Sequence, residues 1–183
     1  MLFRSKKPDA PLVVCFYGPE STGKTTMAGI IARRFGAEWV PEVSREMIDS
    51  NSFSLGDIER IGLAQLRRMQ EAETRQAKLV VCDTDLITTA IYSEHYLGTI
   101  PAIISELEKQ QHIDRYFLFD IDVPWVADGL RDLGNRRELM FGKFREGLER
   151  RGLTYTLVRG TYQEREEFLV NEIERMLTVD RNH

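Results

Sequence analysis

The chain alternates short apolar runs with longer segments whose apolar residues recur every three or four positions. Leu12–Tyr17 is apolar throughout; Lys78–Asp83 and Arg115–Asp120 are nearly so; Ala37–Val40 and Tyr155–Val158 are shorter runs of the same kind. Runs of four to six apolar, β-branched or aromatic residues without polar alternation predict strands covered on both faces. The intervening segments predict helices. Met27, Ile30, Ile31 and Phe35 form a stripe over residues 25–35, with Gly36 as its stop. Glu42–Ile48 predicts a short helix. Ile58, Ile61, Leu66 and Met69 form the buried face of a long helix over 55–77, opened by a capping box of Ser54 and Asp57. Further helices are expected after Asp85, over 100–111 and after Tyr162, the last with Leu169, Ile173, Met176 and Leu177 inward. Leu139, Phe144 and Leu148 predict the inner face of a helix near 139–150. Five strands separated by helices predict an α/β fold with a parallel sheet and helices on both faces. Ligands in such folds sit at the C-terminal strand ends, where Glu42, Asp83, Asp122 and Gly160 all fall.

Composition narrows this little. The 183 residues predict one domain over 12–180, preceded by a short polar arm over 1–11. A net charge of −4 argues against generic nucleic-acid binding. No apolar run approaches the roughly 20 residues of a membrane span. Cys15 and Cys82 lie in predicted central strands and read as reduced core thiols of a cytoplasmic protein. Three scattered histidines make no metal cluster.

The candidate chemistry begins directly after the first strand. Gly18-Pro19-Glu20-Ser21-Thr22-Gly23-Lys24-Thr25 fits G-x-x-x-x-G-K-[ST], and Thr26 continues into the helix. Strand, glycine loop and helix together aim backbone N–H groups and a helix N-terminus at one anion. Lys24 would reach the β- and γ-phosphates of a nucleotide, and the Thr25 hydroxyl would bind Mg²⁺. ATP and Mg²⁺ are the expected cofactors. Asp83, ending the third strand, is either a helix cap or a second Mg²⁺ ligand; the upstream glycine loop favours the metal. Asp85 reads as a polar contact or a cap. From Arg131 to Arg151 seven basic residues face four acidic ones. That stretch predicts either a solvated helix or a lid, at about 125–145, that carries Arg131, Arg136 and Arg137 to a transferring phosphate. Lys143, Arg145, Arg150 and Arg151 are expected in solvent.

Residues 18–26, Pro-Glu-x-x-Arg-Glu (41–46), Asp-Thr-Asp-Leu-Ile-Thr-Thr (83–89) and Asp-Val-Pro-Trp-Val-x-Asp-Gly-Leu-Arg-Asp (122–132) resemble the ribosylnicotinamide kinase domain of NadR-type proteins, over about residues 12 to 170. The resemblance implies transfer of the ATP γ-phosphate to the 5′-hydroxyl of nicotinamide riboside. It implies a P-loop nucleoside-kinase sheet of strand order 2-3-1-4-5. It assigns Glu42 to orient the acceptor hydroxyl and accept its proton, the alternative being a helix-start carboxylate. Arg45 and Glu46 would bind acceptor or phosphate. Trp125 would cover the acceptor's pyridinium or anchor the lid hinge. Asp122 and Asp128 would complement the acceptor's charge or ribose hydroxyls, and Tyr162 would lie near adenine or acceptor. Members of that family carry a nucleotidyltransferase domain, and some a DNA-binding domain, ahead of the kinase; neither is expected here. The chain also reads Val43-Ser44 where the family has an aromatic-small pair. The rival readings are another nucleoside or nucleotide kinase, and a P-loop ATPase or regulatory module. The expected partner is a small-molecule acceptor, with no nucleic acid and no membrane.

Overall fold

A computed structural model describes residues 10–48, 50, 52–126 and 133–179. Its elements are β1 (Leu12–Tyr17), α1 (Lys24–Phe35), β2 (Glu38–Val40), α2 (Ser44–Met47), α3 (Leu55–Glu73), β3 (Leu79–Asp83), α4 (Leu86–Leu97), α5 (Ala102–Glu108), β4 (Arg115–Phe119), a 3-10 turn (Gly134–Arg136), α6 (Arg137–Glu149), β5 (Tyr155–Val158) and α7 (Tyr162–Val179). The five strands form one parallel sheet of order β2-β3-β1-β4-β5. This is the α/β fold and strand order expected from the sequence. Among the described residues, no helix is long and apolar enough to cross a membrane.

β1 lies at the centre, and every one of its residues is buried. Its side chains alternate between two cores, as the two-residue period of a strand requires. Val13, Cys15 and Tyr17 face α3, α4 and α6, packing with Leu66, Met69, Leu86, Ile87 and Phe144. Leu12, Val14 and Phe16 face α1 and α7, packing with Met27, Ile31, Leu169 and Ile173. Both sides of β1 are apolar because both are covered, which explains a run without alternation. Cys15 and Cys82 are free buried thiols in these cores.

Helix boundaries follow local chemistry. The Ser54 hydroxyl caps α3 by accepting from Asp57 N–H, and the Asp57 carboxylate accepts from Ser54 N–H at 2.7 Å. Gly36 ends α1 in the left-handed region. α3 stops at Glu73, short of the expected Ala77. On the inner face of α6, Phe144 and Leu148 are buried as expected, while Met140 takes the inward place expected of Leu139, which is exposed. Residues 137–149 thus form a helix packed on the core, overlapping the stretch read as a lid at about 125–145. Arg151 is also drawn out of solvent, since its guanidinium pairs with Glu108 of α5.

Two glycines of α6 separate packing from propensity. A β-carbon at Gly147 would stand 2.9 Å from the Tyr17 hydroxyl, which itself donates to Phe144 O. One at Gly142 would meet nothing within 4 Å. Gly147→Ala is therefore expected to destabilise by about 1–3 kcal/mol through overpacking. Gly142→Ala is expected to stabilise by roughly 0.5–1 kcal/mol through helix propensity. Urea unfolding of the two variants checks the opposite signs.

Candidate active site

The loop between β1 and α1 is shaped by positive φ at three positions. Gly18 (φ 138°), Ser21 (φ 56°) and Gly23 (φ 85°) turn the chain back over the strand end. Gly18 is required twice: its φ suits glycine, and a β-carbon would stand 2.9 Å from Phe119 O. Gly23 is crossed by the Tyr162 ring, whose atoms would lie 3.0–3.2 Å from a β-carbon there. The N-terminus of α1 has no side-chain cap. Its first N–H groups and the positive end of the helix dipole are left for an anion. Within the loop, Thr22 Oγ1 and Lys24 Nζ both donate to Pro19 O, at 2.9 and 2.7 Å.

A fully buried arginine fixes this loop from behind. Arg165 of α7 donates to Thr22 O at 2.5 Å, to Gly160 O at 2.9 Å and to Asp120 O at 3.1 Å, and it pairs with Asp122. Its guanidinium carbon also lies 5.6 Å from the centre of the Phe119 ring. Nothing in the sequence singled Arg165 out, because a basic residue on a charged helix reads as solvated.

Asp83 ends β3 completely buried, and neither carboxylate oxygen has a hydrogen-bond partner among the described residues. Burial raises its pKa to about 6; Lys24 opposes this most, Thr25 and Arg45 also favour the anion, and Glu42 works against it. An unpartnered buried carboxylate beside a lysine and a threonine hydroxyl suits a hard cation held at a nucleotide's phosphates. Thr25 and Asp83 therefore fit Mg²⁺. The next residue, Thr84, holds the left-handed region (φ 83°), unusual for a β-branched side chain, and its N–H donates to Phe16 O at 3.1 Å.

From the glycine loop a cavity of about 270 Å³ runs along the strand ends. Gly18, Glu20, Ser21, Thr22, Gly23, Lys24, Thr25, Thr26 and Tyr162 line one end. Glu42, Ser44 and Arg45 line the middle, with Phe53, Ile58, Ile61, Gln65, Thr84, Thr88, Thr89, Tyr92 and Tyr96 beyond. Glu42 is held in place: Ser44 Oγ donates to it at 2.8 Å, and Arg45 Nε bonds its other oxygen at 3.0 Å. Glu46 turns away and pairs with Arg68 of α3. The far chamber is aromatic on one side, where Phe53 and Tyr92 both contact Tyr96. Of its wall the sequence reading had included none of the aromatics. Gln65 was missed as well, although a glutamine seven residues after Ile58 and four after Ile61 interrupts an apolar stripe.

Three expected acceptor contacts lie elsewhere. Asp85 is the N-cap of α4, fully buried, accepting from Thr88 N, Thr88 Oγ1, Gln111 Nε2 and Tyr116 Oη at 2.8–3.2 Å. Its carboxylate orients α4, and with it Thr88 and Thr89, rather than lining the cavity. Asp122 accepts from Gly160 N at 2.6 Å and pairs with Arg165. That engagement holds it behind the glycine loop. Trp125 packs on Gly134, where a β-carbon would lie 3.0 Å from its ring, and it is the flanking Pro124 and Val126 that reach the cavity. Of the two roles weighed for Trp125, this packing is the arrangement expected of an anchor. Arg137 donates to Val123 O at 2.8 Å and Ser21 O at 3.4 Å, and burial beside Arg165 lowers its pKa. Arg136 is exposed on the 3-10 turn. Arg131 and Asp128 lie outside the described residues. The segments flanking 127–132 are tied to the loop: Val126 N donates to Ser21 Oγ at 2.7 Å, and Leu133 N to Glu20 Oε1 at 2.8 Å.

Comparison with known proteins places this geometry. A family profile described as an AAA domain matches residues 13–165. The trifunctional NAD biosynthesis/regulator protein NadR of Salmonella typhimurium is 29% identical over 135 residues, which is 70% of this chain and 33% of that protein. A crystal structure of NadR protein in complex with NR superposes with a TM-score of 0.78 at 21% identity, over 90% of this chain and 51% of that one. A deoxyadenosine kinase from M. mycoides gives a TM-score of 0.63 at 12% identity, over 90% of this chain and all of that one. The chain spans about a third of the curated NadR relative and about half of the solved one. The two structural matches show that this chain shares their fold.

A buried, unpartnered Asp83 has a consequence for the ligand-free protein. Its folded pKa lies above the usual carboxylate value, so ionising it opposes folding at pH above about 6, and the cost vanishes below about 4. Asp83→Asn is expected to stabilise the ligand-free protein at pH 8 by on the order of 2–3 kcal/mol. The gain should shrink as pH falls from 6 to 4. Thermal melts across that range check the sign.

Proposed function

The chain belongs to the AAA domain family over residues 13–165, and on that premise we propose that it is an ATP- and Mg²⁺-dependent kinase phosphorylating the 5′-hydroxyl of nicotinamide riboside. One observation carries the reading: a single cavity joins the glycine loop, a held carboxylate at Glu42 and an aromatic chamber. An ATPase module has no need of the last two. The sequence likeness to NadR and the fold match to a NadR structure solved with NR support the choice of acceptor.

In this reading the glycine-loop N–H groups and Lys24 hold the β- and γ-phosphates, and Tyr162 lies beside them over Gly23. Mg²⁺, held by Thr25 and Asp83, supplies neutralisation of phosphate charge when bound. Glu42 orients the acceptor hydroxyl toward the γ-phosphate and takes its proton as the new P–O bond forms and the bond from the γ-phosphorus to the β,γ-bridging oxygen breaks, releasing ADP. Ser44 and Arg45 keep that carboxylate in position, and the aromatic chamber holds the acceptor ring. Arg136 would meet the charge of the transferring phosphoryl group, a role also expected of Arg131, which lies outside the described residues, while Arg137 steadies Ser21. Catalysis is then positioning and charge stabilisation around an in-line transfer. Reduced buried Cys15 and Cys82 fit a cytoplasmic setting. The fold match to deoxyadenosine kinase favours, as second reading, the same chemistry on another nucleoside.

ADP release measured against nicotinamide riboside, the common nucleosides, nucleoside monophosphates and no acceptor tests the assignment. Nicotinamide riboside should stimulate release most strongly. Stimulation by another nucleoside alone moves the acceptor, and release without any acceptor favours the ATPase reading. Lys24→Ala should reduce transfer to background; near-normal transfer by that variant contradicts the phosphate-loop role. Glu42→Gln should lower kcat by roughly 10²–10⁴-fold with ATP binding retained. An unchanged kcat leaves Glu42 as a structural residue only.

A further inference from the structure

Gln65 sits on the buried face of α3, one and two turns beyond Ile61 and Ile58, and all three line the chamber. The side chain is 2% exposed. Its two polar ends are used unequally. Oε1 accepts from Val43 N–H at 3.1 Å, the backbone next to Glu42. That bond sets the amide orientation, because only the oxygen can accept from an N–H. Nε2 is then the other end, and it is buried with no hydrogen-bond partner among the described residues. A buried amide nitrogen left without a partner forfeits the hydrogen bond it would make to water. Ile58, Ile61, Phe53 and Tyr96 share the chamber wall with Thr84, Thr88, Thr89 and Tyr92, and none of them bonds Nε2, so the donor is satisfied only when an acceptor atom arrives.

We infer that Gln65 determines specificity for the phosphoryl acceptor: Oε1 fastens the Glu42 loop to α3, and Nε2 donates to a carbonyl oxygen on the acceptor's ring. The inference rests on the reading of this chamber as a nucleoside site and names what that site selects. A ring bearing a carboxamide or a ring carbonyl satisfies Nε2. A ring of similar shape without a carbonyl buries the donor unpaired and is rejected. A site built around a hydrogen bond discriminates far better against a ligand lacking the partner than apolar packing alone does. Because one side chain both reads the ring and holds the residue beside Glu42, ring recognition and hydroxyl orientation are mechanically joined.

Two measurements test this. The first uses the unaltered protein with nicotinamide riboside and with pyridine riboside, which lacks only the carboxamide. kcat/KM is expected to favour the carboxamide by about 100-fold or more. A ratio near one overturns the inference. The second uses Gln65→Glu and Gln65→Met, each with ATP affinity measured as a check on folding. Gln65→Glu keeps an acceptor for Val43 N–H but replaces the donor. It should raise KM for nicotinamide riboside about 10- to 100-fold, with kcat within about threefold, and should collapse the preference for the carboxamide. Gln65→Met loses both bonds and should raise KM and lower kcat together. If either variant binds ATP normally and leaves KM within twofold, Gln65 is a packing residue. If the unaltered protein phosphorylates neither riboside but phosphorylates another nucleoside, the acceptor assignment fails, and the same Gln65→Glu comparison on that nucleoside decides the role of Gln65. If no nucleoside or nucleotide is phosphorylated at all, the kinase reading fails and this inference with it.

Discussion

The backbone at Gly18 passes so close to the end of β4 that a β-carbon would stand 2.9 Å from Phe119 O. That close approach lets the loop after β1 fold back over the central strand. Its consequences run outward. β1 must be central and buried, so both faces of the sheet need helices. α1 must begin where the loop ends, which leaves its N-terminus uncapped and pointed at the anion. Thr22 and Lys24 then bond Pro19 O, and Arg165 bonds Thr22 O, so the loop's own carbonyls are held and the anion cradle is assembled before a ligand arrives. Donors fixed in advance need no reorganisation during reaction, which is where electrostatic stabilisation is most effective.

The same site carries groups that the ligand-free protein would be more stable without. Asp83 is buried with unpartnered oxygens, and Gln65 with an unpartnered nitrogen. Thr84 holds a backbone conformation that its β-branched side chain disfavours. All three line or adjoin one cavity. By contrast the buried Asp85 carboxylate, which does not line the cavity, is matched by the four donors gathered around it. Local costs concentrated at one site, against satisfied chemistry away from it, are the physical pattern of a functional centre.

The strands, the parallel sheet and the glycine loop were legible because they rest on local signals: apolar runs without alternation, glycines at fixed spacing and a capping box at Ser54; the strand order came from the resemblance to NadR-type kinase domains. The acceptor chamber was less so. Glu42 was found from its place after a strand, but Gln65, Tyr92 and Tyr96 come from two helices that meet only in the folded chain. Asp122 misled for a related reason: it stands at a strand end, as active-site acids do, yet its pairing with Arg165 commits it to structure. Of the two roles read for Asp85, the helix cap is the one the structure holds, with Tyr116 and Gln111 as further donors. Arg165 was hidden because sequence alone assigns arginine to solvent, and its burial depends on three carbonyls presented by separate segments. The single exchange in α6, Met140 inward instead of Leu139, shows the limit of periodicity where a helix begins from a 3-10 turn.

The central claim is that one cavity carries a phosphoryl group from ATP to a nucleoside hydroxyl. Phosphorus-31 NMR of a mixture of protein, ATP, Mg²⁺ and nicotinamide riboside tests it most directly. A new phosphomonoester on the 5′-oxygen, appearing in step with ADP and without inorganic phosphate, is the predicted result. ADP accompanied by inorganic phosphate, with the riboside unchanged, would contradict the account.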